Sequence, residues 1–293
     1  MLSVLIPVYN WDVTDLVNEL HRQCLVQNID FEILALDDCS PNVLIKNTNS
    51  KIKLGHFKLI ELDKNAGNAE ARNILARNAE FNWLLFLDAD MIPAKENFIQ
   101  RYLEQIQFND FDIMSGGILY ENNVAPEFRL KWLHGKKTEE QIKDKDPYLE
   151  IRGNNFLIRK PAFLANPFGG LPENYGYVDT YFGLKLKQAK ARVKIIDNPC
   201  YHLGLETNFR FIEKHEKALR NAHWMMKNQP ETAENLRVIK IYKRIKNLGL
   251  EGGIRKFYLT FRKNMLDNLL SENPSLFVFQ LYKLGYICTL KDE

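Results

Sequence analysis

Four short apolar runs, each closed by polar residues, restrict what this 293-residue chain can fold into more than any other feature. The first, from Leu2 to Val8, gives way to Tyr9-Asn10 and then to Val13, Leu16, Val17 and Leu20 at helical spacing. The second, residues 31–36, ends in Asp37-Asp38-Cys39-Ser40-Pro41. The third, residues 57–62, ends in Asp63-Lys64-Asn65-Ala66-Gly67-Asn68, ahead of a helix with Ala71, Ile74, Leu75 and Ala79 on one face. The fourth, Trp83-Leu84-Leu85-Phe86-Leu87, stops at Asp88-Ala89-Asp90. Strands alternating with helices imply a parallel sheet, and right-handed crossovers place all four strand ends on one edge, where open α/β folds bind ligands. Tyr9, Asp37, Asp38, Asn65, Asp88 and Asp90 therefore converge on one crevice.

Two carboxylates one residue apart need a cation. Mg²⁺ or Mn²⁺, held by one or two carboxylates and by substrate phosphates, answers that need because such an ion keeps part of its coordination shell open. Alone, Asp-x-Asp is more readily an acidic turn; the three other strand ends on the same edge are what raise it to a site.

Residues 111–119 read as a further strand, and residues 121–147 turn polar and lysine-rich with little periodicity, as expected of a mobile lid. Residues 155–158 and 193–196 continue the sheet, with a helix carrying Tyr181, Leu184 and Leu186 between them. From about Phe209 the chain reads as helical, with Asn208 as an N-cap and Pro230 and Pro274 as breaks. The expected division is a catalytic domain over residues 1–205, with a nucleotide half to about 91 and an acceptor half from about 111, then a helical region over 206–293.

A net charge of +3 is too small to imply nucleic-acid binding. The four cysteines form no paired motif and suit a reducing compartment, and no run of about 18 apolar residues or secretory leader is visible. A cytoplasmic chain is expected, at most peripheral on the inner face of a membrane.

The ordered set Ser3-Val4-Leu5-Ile6-Pro7-Val8-Tyr9-Asn10, Asp37-Asp38-Cys39-Ser40, Asn65-Ala66-Gly67-Asn68-Ala69-Glu70-Ala71-Arg72-Asn73 and Phe86-Leu87-Asp88-Ala89-Asp90-Met91 resembles the family-2 glycosyltransferases of GT-A fold. Weaker matches follow at residues 153–160 and 175–180. The resemblance implies a Rossmann-like, mostly parallel α/β sheet flanked by helices, and an inverting transferase that moves a sugar from a nucleotide diphosphate, UDP foremost, to a hydroxyl of a glycan or lipid-linked acceptor. Pro7, Tyr9 and Asn10 offer a platform for the base, with Tyr9 equally able to be a structural tyrosine. Asp37 or Asp38 accepts the base's N–H groups, while at least one of the two is expected to cap the following helix. The resemblance places Gly67, Arg72 and Asn73 beside the nucleotide, Asp88 near the ribose or metal, and Asp90 on the metal. Arg72 pairing with Asp88 is compatible with that.

His202 follows the last core strand, where some relatives place a metal-directed histidine, and a packing role is the alternative. Asp179 is the candidate base, in Tyr175-Gly176-Tyr177-Val178-Asp179, although Val178 stands where the family often has a first acid; Glu173 is the substitute. Asp179 in a first helical turn also suits the helix dipole. Asn154 and Asn155 line the acceptor or donor-sugar pocket by resemblance, or form a turn.

Residues 237–263 hold nine basic residues against the single acid Glu251, interleaved with Ile239, Ile241, Tyr242, Ile245, Leu248, Phe257, Tyr258, Leu259 and Phe261. Such helices suit an anionic membrane or a packed appendage with a solvated lysine face. A sugar-phosphate nucleotidylyltransferase is the rival enzyme, weakened by the absence of glycine after the first strand; a non-catalytic membrane adaptor is the rival from another class.

Overall fold

The computed structural model describes residues 1–141, 146–173 and 175–290; of the expected lid segment, residues 142–145 lie outside the described residues, as do 291–293 of the expected helical region. In chain order the elements are β1 (Leu2–Val8), α1 (Thr14–Val26), β2 (Phe31–Asp37), α2 (Val43–Asn49), β3 (Phe57–Glu61), α3 (Asn68–Asn78), β4 (Trp83–Leu87), β5 (Met91–Pro93), α4 (Phe98–Phe108), β6 (Ile113–Ser115) and β7 (Ile118–Leu119). They continue with α5 (Arg129–Thr138), β8 (Asn155–Arg159), α6 (Lys160–Ala165), α7 (Val178–Gln188), β9 (Val193–Ile195) and β10 (Cys200–His202). Five helices follow: α8 (Asn208–Asn228), α9 (Pro230–Ala233), α10 (Arg237–Asn247), α11 (Glu251–Leu269) and α12 (Leu276–Ile287). Two compact units result, one of Met1–Glu121, Glu139–Gly169 and Phe182–Gly204, the other of Asn122–Thr138, Gly170–Tyr181 and Leu205–Glu293.

The first unit is built on a seven-stranded sheet in the order β3-β2-β1-β4-β8-β6-β9. The ladders β1–β2, β2–β3 and β1–β4 are parallel, so the four strand ends share one edge as the crossover rule requires. β8 runs antiparallel to both β4 and β6. Every residue of β1 and β4 is buried, which is why these strands are unbroken apolar runs rather than alternating ones. Beneath the end of β4, Phe86 stacks between Phe156 and Phe163, with centroids 4.8 and 4.9 Å away, and Phe168 stacks on Phe182 at 4.2 Å.

Residues 111–119 are not one strand. β6 joins the large sheet, whereas β7 joins a separate three-stranded sheet in the order β5-β10-β7. The break falls at Gly116-Gly117: Gly117 has φ of 91°, and a Cβ on Gly116 would collide with Tyr102 Oη and lie 2.6 Å from the Asn198 carbonyl oxygen.

In the second unit the supposedly aperiodic lid segment contains α5, whose Leu130 is fully buried in a cluster with Phe211, Tyr258, Phe279 and Tyr282. Asn208 is not the cap of α8. Thr207 is, its hydroxyl accepting from Arg210 N, while Asn208 uses its side chain to accept from Leu130 N at 2.8 Å and donate to the Pro126 carbonyl at 3.1 Å. Pro230 begins α9 after α8 has ended, and Pro274 separates α11 from α12. Among the described residues no helix is long and apolar enough to cross a membrane.

Candidate functional site

At the edge of the first unit, chain geometry sorts the sequence candidates into groups with bonding capacity to offer and groups that hold the edge together. Asp37, the last residue of β2, accepts from Ser40 N through Oδ1 at 2.7 Å, while its Oδ2 is buried with no hydrogen-bond partner among the described residues. Asp38 is fully engaged: its two oxygens accept from Ala66 N at 2.6 Å and Gly67 N at 2.9 Å, pinning the turn before α3, where Gly67 has φ of 83°. Both carboxylates thus serve turns and neither caps α2, whose N-cap is Asn42; Asp37 alone keeps an acceptor to give. Pro7 is buried opposite Leu36 in the β1–β2 ladder, whereas Tyr9, just past β1, is 54% exposed. Asn10, with φ of 53°, donates its N–H to Ser40 Oγ at 2.8 Å and accepts from Asn42 N at 3.1 Å, so its side chain closes the loop beside Tyr9.

Arg72 is buried within α3 and donates through Nη2 to Asp88 Oδ1 and to the Gly153 carbonyl, the latter at 3.0 Å. Its guanidinium lies 5.2 Å from the Phe168 ring centroid. The Asp88 charge is therefore met by an arginine. Asn73 is committed to the backbone of Phe168, its amide accepting from N at 3.0 Å and donating to O at 3.1 Å, and so fastens the segment after α6 to α3. Gly67 and Arg72 stay at the edge; Asn73 supports it from behind.

Asp90 stands apart from Asp88 because the backbone turns between them, Met91 N donating to the Asp88 carbonyl at 3.1 Å. β5 then pairs with β10 in a register that sets Met91 opposite His202. That register brings His202 Nε2 within 3.0 Å of Asp90 Oδ2. The Leu203 N–H donates to the Asp90 carbonyl at 2.8 Å, and a Cβ on Gly204 would collide with Asp90 Oδ2, so only glycine lets the chain pass there. Gly204 carries no motif and was not among the sequence candidates; a glycine two residues after a candidate histidine is the sole signal it leaves. Tyr120, likewise unforeseen, packs edge-on to the His202 ring at 5.6 Å.

Asn154 is partly exposed, its carbonyl accepting from Asp88 N at 3.2 Å, with Oδ1 buried and without a partner among the described residues. Asn155 is wholly buried, and its side chain does not line a pocket. It accepts from Tyr102 Oη at 2.7 Å and donates to the Gly117 and Asn198 carbonyls, both at 2.9 Å, tying together the two segments that lead into β7 and β10. Asn155 thereby holds the strand that delivers His202.

Two candidates belong to the second unit. Asp179 is in the first turn of α7, following Tyr177 at φ of 59°. Glu173 accepts from Arg220 Nε at 2.7 Å, an ion pair that occupies the substitute base.

The sequence profile described as Glycosyl transferase family 2 matches residues 3–165, more than half of the chain and the ends of β1 to β4, while His202 lies beyond it. The chain belongs to that family. An uncharacterized glycosyltransferase of Haemophilus influenzae is 33% identical over 109 residues, 36% of this chain and 35% of the relative. The Staphylococcus aureus poly(ribitol-phosphate) beta-N-acetylglucosaminyltransferase TarS is 31% identical over 97 residues, 32% of this chain and 17% of its own. The teichoic acid poly(glycerol phosphate) polymerase of Staphylococcus epidermidis is 27% identical over 215 residues, covering 69% of this chain and 28% of the relative. The chain thus spans about a third or less of these curated relatives.

Two solved structures share the fold. The crystal structure of S. aureus TarS 1–349 with UDP-GlcNAc superposes with a TM-score of 0.50 at 20% identity, over 75% of this chain and 66% of that one. The Pyrobaculum calidifontis mannosyltransferase PcManGT, with GDP-Man and Mn²⁺, gives 0.52 at 15% identity, over 77% and 64%. The family member described here therefore has the GT-A architecture read from its motifs.

A divalent ion suits the residues present. Asp90 and His202 supply one carboxylate and one imidazole at hydrogen-bond separation, a hard oxygen and a borderline nitrogen that match Mn²⁺. His202 Nδ1 is buried with no hydrogen-bond partner among the described residues, which leaves Nε2 as the nitrogen turned to the carboxylate. No group of three or more His, Cys, Asp or Glu side chains assembles among the described residues, so the remaining ligands would be phosphate and water.

Proposed function

We propose that this protein transfers a sugar from a nucleotide diphosphate sugar, with UDP as the nucleotide, to a hydroxyl of a glycan or lipid-linked acceptor at the inner face of a membrane, with inversion at the sugar carbon. The observation that carries the proposal is the pairing of Asp90 with His202 beside the strand ends of Asp37 and Asp88. The UDP-GlcNAc and GDP-Man bound to the two solved relatives, and the N-acetylglucosaminyl transfer in the name of TarS, support it.

In this reading Asp37 Oδ2 accepts the imide N–H of uracil, since an ionised carboxylate offers lone pairs and no donor. Tyr9 packs on the base, and Asp38 keeps the adjoining turn in place. Arg72 neutralises Asp88, letting a carboxylate that faces the ribose sit next to an anionic diphosphate without net repulsion. Asp90 and His202 would hold the divalent ion, which when bound would stabilise charge on the departing diphosphate. Asp179 takes the proton from the acceptor hydroxyl as the hydroxyl attacks from the face opposite the leaving group. A single displacement of this kind inverts the sugar carbon.

Thermal-shift titration with UDP and UDP-sugars, with and without Mn²⁺, tests this reading. At ligand a hundred times its dissociation constant, stabilisation of about 2.7 kcal/mol is expected. Asp90→Ala should abolish the metal-dependent part of the shift and lower donor hydrolysis by about 10³-fold. Absence of any nucleotide shift, or release of pyrophosphate from UTP and a sugar 1-phosphate, would overturn it.

A further inference from the structure

The second unit carries a face that its own packing leaves uncovered. The apolar positions of residues 237–263 divide in two. Ile239, Tyr242 and Tyr258 are buried in the helical clusters, whereas Leu248 is 70% exposed, Leu250 53%, Phe257 47% and Phe261 45%. Side chains of that size left in water are costly unless something else covers them.

On α10, Ile241 and the C-cap Leu248 share the outward face with Arg237 and Arg244, at spacings of three and four residues. On α11, Phe257 and Phe261 lie one turn apart with ring centroids 4.8 Å from each other, and Lys256 and Lys263 border them. Among the described residues Arg244, Arg255, Lys256 and Lys263 join no ion pair, and Glu251, the one acid of the segment, accepts from the Tyr242 hydroxyl at 2.7 Å. Lys243 pairs with Glu234 at 2.9 Å and Arg262 lies 3.8 Å from Glu216, so the uncompensated charge of the segment rests on those four residues.

We propose that this face docks on an anionic membrane surface, with Leu248, Leu250, Phe257 and Phe261 entering the interface and the surrounding cations meeting the headgroups. Charge complementarity selects this occupant. A second copy of the chain would set like charges against like, and a nucleic acid would satisfy the cations but find no stacking partner in Leu248 or Leu250. A basic, amphipathic surface of short helices lies in the plane of the interface rather than across it. The inference deepens the membrane-side location proposed above and rests on that reading for its biological setting, while vesicle binding reads it without any sugar transfer.

Co-sedimentation of the full chain with vesicles of phosphatidylcholine, alone or mixed with phosphatidylserine, provides the test. Binding to the mixed vesicles only, reversed by high salt, is expected. Lys256→Gln and Lys263→Gln should each weaken it about fivefold, and Phe257→Ser with Phe261→Ser about tenfold or more. Unchanged circular dichroism confirms that the variants fold, and the exposed lysine variants keep the test open if the double serine variant does not. Equal binding to both vesicles, binding to neither, a dimer lost on Phe257→Ser, or an oligonucleotide that binds through the same lysines would overturn the proposal. Vesicle binding without nucleotide binding would overturn sugar transfer instead.

Discussion

Polar side chains serve different ends in the two units. In the first, Asp37 and Asp88 stand at or just past the ends of β2 and β4, and Asp90 faces His202 across a ladder of the small sheet, so register alone brings distant residues together. In the second, polar groups lie along helices and are absorbed into packing. The His215 ring is walled by Phe211 at 4.2 Å, Phe279 at 4.9 Å and His134 at 5.3 Å, and Glu173 is paired with Arg220. Strand ends leave carboxylates with acceptors to offer, whereas His215 and Glu173 of the helical unit are spent on its own packing.

The contrast can be broken most forcibly at Arg72. Arg72→Ala removes the buried ion pair with Asp88 and the bond to Gly153, and should cost about 3 kcal/mol of stability in a denaturant titration. Asp179→Asn is the corresponding test in the second unit. A general base lost there should lower kcat by about 10²-fold with the melting temperature little moved, while a charge serving only the helix end would shift stability by less than about 1 kcal/mol and leave the rate alone.

Gly204→Ala sharpens the contrast more gently. The added methyl must displace the Asp90 carboxylate, so Mn²⁺-dependent turnover should fall about tenfold or more while nucleotide binding without metal persists. Acid tests the helical unit without a substitution. Burial of its ring, then the charges of His134, Lys283 and Lys131, hold His215 well below the ordinary histidine value, against a raising bond to the Phe211 carbonyl. The folded state therefore resists a proton that the unfolded chain accepts. Stability contributed by the neutral ring is present above the unfolded value near 6.5 and is lost as pH falls below it, by up to about 1.4 kcal/mol per pH unit. Melting temperatures between pH 7 and 5 should show that slope, and His215→Phe should flatten it.

Much of the first unit was legible because long buried strands leave a signal that needs no partner to be read. β1 and β4 match their apolar runs, and the Arg72–Asp88 pair follows from two motifs meeting at one edge. β5, β7 and β10 span three, two and three residues, too short for any periodicity, so the sheet that seats His202 was invisible. Asn155 and Asn73 read as ligand-facing because asparagine type says nothing about direction; only the fold reveals that Tyr102 and Phe168 claim them. α5 was hidden for a related reason, since its lysine-rich sequence has a single fully buried leucine.

The β5–β10 ladder has a consequence for the order in which the protein becomes competent. Asp90 and His202 are separated by 112 positions, and a chain emerging from the ribosome presents the aspartate long before its partner exists. Units fold as they emerge, N-terminal parts first. A truncated or half-synthesised product therefore has strand ends but no second donor, and any ion that needs both must wait for the completed small sheet.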